Sequence, residues 1–315
     1  MLTQVSLLLV QVLFPLGCLI AAGAVWSRIY RDESALLRQQ LNALILNVLS
    51  PALVFAVIAA TPLDTALIRA PMLAAVAIIV VGALEYVLLW HSPLGATLRN
   101  ETKAALMICG MFGNVFFFGY PVLTFLFGPD AARYPAYIDL LGSIPLVWTL
   151  GVWIATKLGA SHSEPVSLWR VMATLPPVWG FALGLAYRAL GLELDPLIAA
   201  MHWIGQTAVP LASFVLGLAI PWHALRPNRA VMVIVSIKLI AMPAILLAML
   251  ALAAAPRSEA DLAVLIEAGM PTMAMGVMLA DRFGLDVNAA ALTTAWTTLL
   301  FCVSLPFWLM LLGIG

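Results

Sequence analysis

Two tripeptides, Gly119-Tyr120-Pro121 and Gly269-Met270-Pro271, interrupt runs that are otherwise apolar. Glycine loosens the backbone, and proline removes an N–H donor and clashes with the preceding turn, so each tripeptide is expected to break a helix. A helix broken at membrane depth leaves free N–H groups at the start of its second half and free C=O groups at the end of its first. The N–H end favours an anion and the C=O end a cation. Two such breaks brought together near the bilayer centre would form a polar site without any charged side chain, and that site would suit a carboxylate. The residues expected to bind it are Asn114, Gly119, Tyr120, Pro121, Gly269, Met270, Pro271 and Thr272. Asn114 stands seven residues, two helical turns, before Pro121 and so projects from nearly the same face. The plainer reading of either motif alone is a proline that only kinks a packed helix. Two motifs at matching positions favour a functional reading.

Charges inside apolar segments are costly, which makes each informative. Glu267 lies one turn before Pro271, and Lys238 lies five residues before Pro243. Both are candidates for coupling or charge balance: pairing with each other, balancing a substrate carboxylate, or, for Glu267, carrying a proton or holding a cation. Snorkelling or a structural ion pair is the alternative. Glu85 and Asp139 lie near segment ends and are expected to reach an interface. Asn47 and Gln206 each stand four residues before a proline, Pro51 and Pro210, and are expected to support those helices by bonding the carbonyls that proline frees. Helix-to-helix glue is their alternative role.

The elements that must position these residues follow from composition. The chain has 315 residues, 64% of them hydrophobic and 10% charged, which excludes a soluble globular domain and implies an all-α polytopic membrane protein. The net charge of zero argues against a nucleic-acid partner. Cys18, Cys109 and Cys302 are far apart in apolar runs and read as small buried hydrophobes. The four histidines show no metal-ligand spacing, and no nucleotide loop or nucleophile elbow occurs, so neither an enzyme nor a cofactor is expected.

A spanning helix needs roughly 20 apolar residues. Ten segments meet that requirement, at about 5–26, 36–60, 67–90, 104–127, 135–157, 168–190, 196–220, 229–254, 260–281 and 289–313. Odd-numbered loops hold ten Lys or Arg and even-numbered loops four, which sets the odd loops in the cytoplasm and both termini outside. The first run is followed by Arg28 and Arg31 and preceded by no basic residue, so it reads as a retained helix rather than a signal peptide. Tryptophans near segment ends, among them Trp26, Trp90, Trp169, Trp203, Trp222 and Trp308, fit an interfacial belt. A weak repeat relates the halves: Pro51 to Pro210 is 159 residues and Pro121 to Pro271 is 150. With the polar link Leu158 to Ser167 as the seam, the expected units are 1–157 and 168–315, two inverted five-helix repeats whose fourth and ninth helices are broken and cross.

The motifs carry a resemblance over the whole chain. Phe14-Pro15-Leu16-Gly17, Leu49-Ser50-Pro51-Ala52-Leu53, Gly113-Asn114 leading to Gly119-Tyr120-Pro121, Glu267-Ala268-Gly269-Met270-Pro271-Thr272 and the late Thr297-Thr298 to Leu305-Pro306 resemble the auxin efflux carrier family in its bacterial form. Members of that form are often described as malonate or malate permeases. The resemblance implies ten helices with both ends outside, an inverted repeat, and crossing broken helices as in folds like those of the bile acid-sodium symporters. The long hydrophilic loop of plant members is replaced here by a short link, which puts auxin transport in doubt.

The function expected is secondary active transport of a small organic anion, a dicarboxylate such as malonate or malate, across a bacterial inner membrane by alternating access. The expected partners are that anion and the lipid bilayer, with H⁺ or Na⁺ as candidate coupling ions and a second copy of the chain as a candidate partner. A sodium-coupled symporter of larger amphipathic anions is one alternative, and a non-transporting membrane enzyme or sensor is another.

Overall fold

Apolar runs of this length can satisfy their backbone in a bilayer only by forming helices, and the chain folds accordingly. The computed structural model describes residues 2–61, 64–159, 167–192, 195–220, 225–226, 228–252 and 258–314. Most of the expected seam (160–166), Trp222 and Arg257 lie outside the described residues. The helices are α1 (Gln4–Ile29), α2 (Arg31–Ala60), α3 (Ala66–His91), α4 (Asn100–Met111), α5 (Val115–Phe127), α6 (Pro129–Leu158), α7 (Leu168–Thr174), α8 (Pro176–Ala189), α9 (Asp195–Ala219), α10 (Arg229–Leu252), α11 (Glu259–Ala268), α12 (Met275–Phe283) and α13 (Val287–Leu312). No strand occurs among the described residues. Seven of the helices (α1, α2, α3, α6, α9, α10 and α13) are long and apolar enough to cross a membrane. The protein is therefore a multi-pass membrane protein. The fourth, sixth and ninth expected segments are each divided, into α4 and α5, α7 and α8, and α11 and α12.

Proline placement shapes these helices. Widened π-type turns precede Pro15, Pro51, Pro145 and Pro243, at Leu9–Leu13, Ile45–Leu49, Ile138–Ser143 and Ile237–Ala241. The extra residue in such a turn lets a helix continue past a ring that would otherwise press on the preceding carbonyl. Trp308 provides a further remedy. Its sequence position suggested an interfacial ring, but it is buried, and its indole N–H donates over 2.8 Å to the Leu239 carbonyl. That carbonyl stands four residues before Pro243 and would otherwise lack its helical donor. Cys18 and Cys302 are likewise exposed on helix faces rather than buried; only Cys109 is in the core.

Two packing groups can be distinguished. α8 and α9 pack on α1 and α2. At the crossing of α1 and α9, a Cβ on Gly23 would strike the Phe214 carbonyl and one on Gly217 the Ile20 carbonyl, so both positions must lack side chains for the backbones to touch. The other group joins α3, α4, α6, α10, α11, α12 and α13, with α5 alongside. At one end of it the starts of three helices are tied together: Arg69 pairs with Asp261 at 2.9 Å, Arg133 with Asp64 at 3.2 Å, and the Tyr134 hydroxyl donates to Glu259 at 3.0 Å. Asp261 also completes a capping box with Ser258 at the start of α11.

Candidate functional site

α4 ends at Met111 and α5 begins at Val115; α11 ends at Ala268 and α12 begins at Met275. The second gap falls where Gly269-Met270-Pro271 was expected to open it. The first does not: Gly119, Tyr120 and Pro121 lie inside α5, and the helix is interrupted instead at Phe112-Gly113-Asn114, with Phe112 extended. The reason is the neighbouring backbone. The two gaps pair as a short antiparallel bridge between Gly113 and Thr272, with the Asn114 N–H donating to the Pro271 carbonyl (2.6 Å) and the Met273 N–H to the Phe112 carbonyl (3.1 Å). A Cβ at Gly113 would stand 3.0 Å from the Lys238 ammonium, so a side chain there would have to push the ammonium aside by a few tenths of an ångström. Pro121 is instead a proline within a helix, tolerated at membrane depth.

The bridge satisfies backbone groups that the helix ends would otherwise leave bare. Thr272 completes it: its N–H donates to the Thr297 hydroxyl (3.1 Å), and its own hydroxyl donates to the Cys109 carbonyl near the end of α4 (2.7 Å). Thr272 is 1% exposed. Thr297 belongs to a buried patch of α13 with Thr293, Thr294 and Thr298. Their spacing of one, three and one residues places them on one face of an otherwise apolar helix, a sequence signal for the site that the expected binding residues did not include.

Other groups remain free. Among the described residues the amides of Val115, Phe116 and Phe117, in the first turn of α5, have no partner, and neither does the half-buried Asn114 carboxamide beside them. These four donors converge on the N-terminal end of a half-helix, the end at which an anion is stabilised. Tyr120, further along α5, bonds through its hydroxyl to the His202 imidazole of α9 at 3.0 Å and so links the two packing groups.

The charged residues lie behind the bridge. Lys238, 1% exposed in the π-type turn of α10, donates to the Ala268 carbonyl (2.8 Å) and to the Met242 sulfur (3.1 Å). Its ammonium thus caps the C-terminal end of α11, where the helix dipole is negative. Glu267 is 1% exposed, and its carboxylate fits against Gly119, where any Cβ would collide with it. Room for Glu267, rather than flexibility, is what Gly119 supplies. Lys238 and Glu267 line a cavity of about 10 Å³ with Gly113 and Ser143, room for about one water molecule. Of the options for Lys238 and Glu267, direct pairing is not seen: no ion pair within 4.0 Å joins them among the described residues. Glu85, expected to reach an interface, is 0% exposed and lies against Gly110 of α4.

The helix-support residues are elsewhere. Asn47 is exposed, and its amide donates to the Ala43 carbonyl (2.8 Å) rather than reaching a carbonyl freed by Pro51. Pro51 packs under Gly180 of α8; Gln206 is exposed at a turn that divides α9, and Pro210 is exposed in the helical stretch just after that turn. These four belong to the first packing group and do not join the site. Among the described residues no cluster of His, Cys, Asp and Glu could hold a metal ion.

Comparison with known proteins gives a consistent result. A family model described as "Membrane transport protein" matches residues 5–309. An uncharacterized transporter of Methanothermobacter thermautotrophicus is 26% identical over 86% of this chain and 88% of its own length. One from Methanocaldococcus jannaschii is 25% identical over 85% and 87%. A Rhizobium meliloti protein named "Putative malonate transporter" is 25% identical over 87% of each chain.

Proposed function

We propose, from the premise that this chain belongs to the membrane transport protein family, that it is a secondary transporter moving a small organic anion across a bacterial inner membrane by alternating access. The substrate class is a dicarboxylate such as malonate or malate. The observation that carries this reading is the convergence of unpaired donors at the bridge: the amides of Val115, Phe116 and Phe117 with the Asn114 carboxamide. One substrate carboxylate binds there; at the start of α12 the Gly276 and Val277 amides already donate to the Met273 and Ala274 carbonyls, so the first end is the main anion site. Thr272 and Pro271 shape the site through the backbone, and Tyr120 borders it. The malonate in the name of the Rhizobium meliloti relative supports the same class.

The mechanism we propose uses the two packing groups. The one containing α1, α2, α8 and α9 rocks against the one containing the bridge, and the small-residue contact at Gly23 and Gly217 keeps α1 and α9 moving as one body. The ten segments then form two inverted repeats, 1–157 and 168–315, with both termini periplasmic. A sodium-coupled symporter of larger amphipathic anions is less well supported, because Lys238 already occupies the carbonyl end that would attract a cation.

Uptake of labelled malonate, malate and larger carboxylates into liposomes containing the purified protein tests this reading. Saturable uptake of a small dicarboxylate is expected. Failure to take up any carboxylate under any ion gradient would overturn it.

A further inference from the structure

Behind the bridge, one buried ammonium stands among buried carboxylates that have no partner. Glu85 lies against Gly110 in α4 and Glu267 against Gly119 in α5, on either side of the first gap. Among the described residues none of the four carboxylate oxygens accepts a hydrogen bond. Lys238 acts electrostatically on both, yet its two hydrogen bonds go to the Ala268 carbonyl and the Met242 sulfur. All three residues are at most 1% exposed, so the group is sealed from both aqueous sides in this conformation.

An unpaired ionised carboxylate in such surroundings is strongly disfavoured. With Glu85, Glu267 and Lys238 all ionised, two negative charges face one positive charge, and Asp139, which acts on Glu267, adds a third when it is ionised, so at least one further positive charge is needed for neutrality. A metal cation would need several converging oxygens. The cavity of about 10 Å³ has no room for such a shell, and Lys238 holds the carbonyl at the end of α11. A proton needs only one carboxylate oxygen. We infer that the Glu85–Lys238–Glu267 group is a proton-binding site that couples transport to the proton gradient, with the proton on Glu267.

The position of Glu267 gives the coupling a physical route. It lies on the last turn of α11, next to the carbonyl that Lys238 holds, and touches α5, whose first turn offers the free amides. A rearrangement of the bridge on substrate release must therefore change the surroundings of this carboxylate. A proton from water on one side then binds a Glu267 oxygen and leaves to water on the other, with no other bond made or broken. The other titratable and polar groups near it are few: α6 presents Asp139, which acts on Glu267; α4 presents Cys109, on which Glu85 acts; the Tyr120 hydroxyl of α5 is bonded to His202; and the buried polar side chains of α13 are its four threonines, Ser304 and the Trp308 indole, which is bonded to the Leu239 carbonyl.

This inference rests on the transport reading, and its test separates the two. Liposomes carrying the wild-type protein and an internal pH dye are given malonate. With the membrane potential held at zero by a potassium ionophore and equal potassium on both sides, the dye is expected to report proton movement in step with uptake, and a gradient of about one pH unit to drive about tenfold accumulation at one proton per substrate. A protonophore abolishes the accumulation. Uptake with no proton movement, and accumulation indifferent to the protonophore, overturns the inference and leaves the transport reading standing. Infrared spectra of the purified protein give a readout that needs no transport: a protonated-carboxyl band present in the wild type and lost in Glu267→Gln is expected. Absence of that band in the wild type, or its persistence in Glu267→Gln, overturns the inference even if no substrate is found.

Discussion

The Lys238 ammonium lies 2.8 Å from the carbonyl oxygen of Ala268, thirty residues away in sequence and the last residue of α11. A buried lysine thus does what a C-terminal cap does at a soluble helix end: it supplies a donor and a positive charge where the helix dipole is negative. Lys238→Met removes both and leaves the nearby carboxylates without a counter-charge. Breaking such a buried interaction costs about 3–5 kcal/mol, so the melting temperature of the purified protein in detergent is expected to fall and uptake to be lost. Lys238→Arg is not expected to restore uptake, because the cavity of about 10 Å³ cannot take the larger guanidinium. Wild-type melting in Lys238→Met would contradict this account.

Gly119 and Glu267 are expected to be energetically coupled. Gly119→Ala drives a methyl group into the Glu267 carboxylate, and overpacking of this kind costs about 1–3 kcal/mol. In a Glu267→Ala background the same substitution meets open space and is expected to cost little. A double-mutant cycle on thermal stability should return a coupling of about 0.5–3 kcal/mol. Additive effects would mean that Gly119 serves the backbone and not the carboxylate.

The contrast between Gly119 and Gly269 shows how far the sequence could be read. The second gap was legible because glycine and proline each weaken a helix, and Gly269 and Pro271 do interrupt one. The same pattern at Gly119 and Pro121 proved to be a glycine making room for a side chain and a proline within α5. The true first gap, at Gly113, depends on the backbone of residues 271–273, which local sequence does not reveal. Glu85 was misjudged for a related reason. Distance from a segment end suggested water, but the face of the helix decides burial: Glu85 is buried while the next residue, Tyr86, is exposed. The helical character, the intramembrane charges and the family resemblance were all legible, because they depend on composition and local pattern.

Thr297 is expected to matter through one hydrogen bond. Thr297→Val keeps the shape but leaves the buried Thr272 N–H without an acceptor. An unsatisfied buried donor costs about 1–3 kcal/mol. Thr297→Ser, which keeps the hydroxyl, is expected to lie close to wild type. Detergent melting curves of the two variants give the comparison, and equal stability would show that the contact carries no weight.

Trp308 and Pro243 make a conditional prediction. Trp308→Phe deletes the indole N–H and leaves the Leu239 carbonyl without a donor, at about 1 kcal/mol or more beyond the loss of packing. Pro243→Ala restores a backbone N–H four residues after Leu239. The cost of Trp308→Phe should therefore shrink in the Pro243→Ala background. An unchanged cost would mean that the indole matters only by its volume.

Asn114 gives the sharpest test of an anion at the bridge. Its carboxamide has no partner among the described residues and lies beside the unpaired amides of α5, so its removal leaves the fold intact. A hydrogen bond to a charged group is worth about 1.5–3 kcal/mol, and Asn114→Ala is expected to raise the KM for a dicarboxylate by roughly 10- to 150-fold at unchanged melting temperature. Asn114→Asp keeps the size but sets a negative charge against the substrate carboxylate, and uptake should fall further than in the alanine variant. A cationic or neutral substrate would reverse that order. If Asn114→Asp transports as well as Asn114→Ala or better, the helix end at Val115 does not bind an anion.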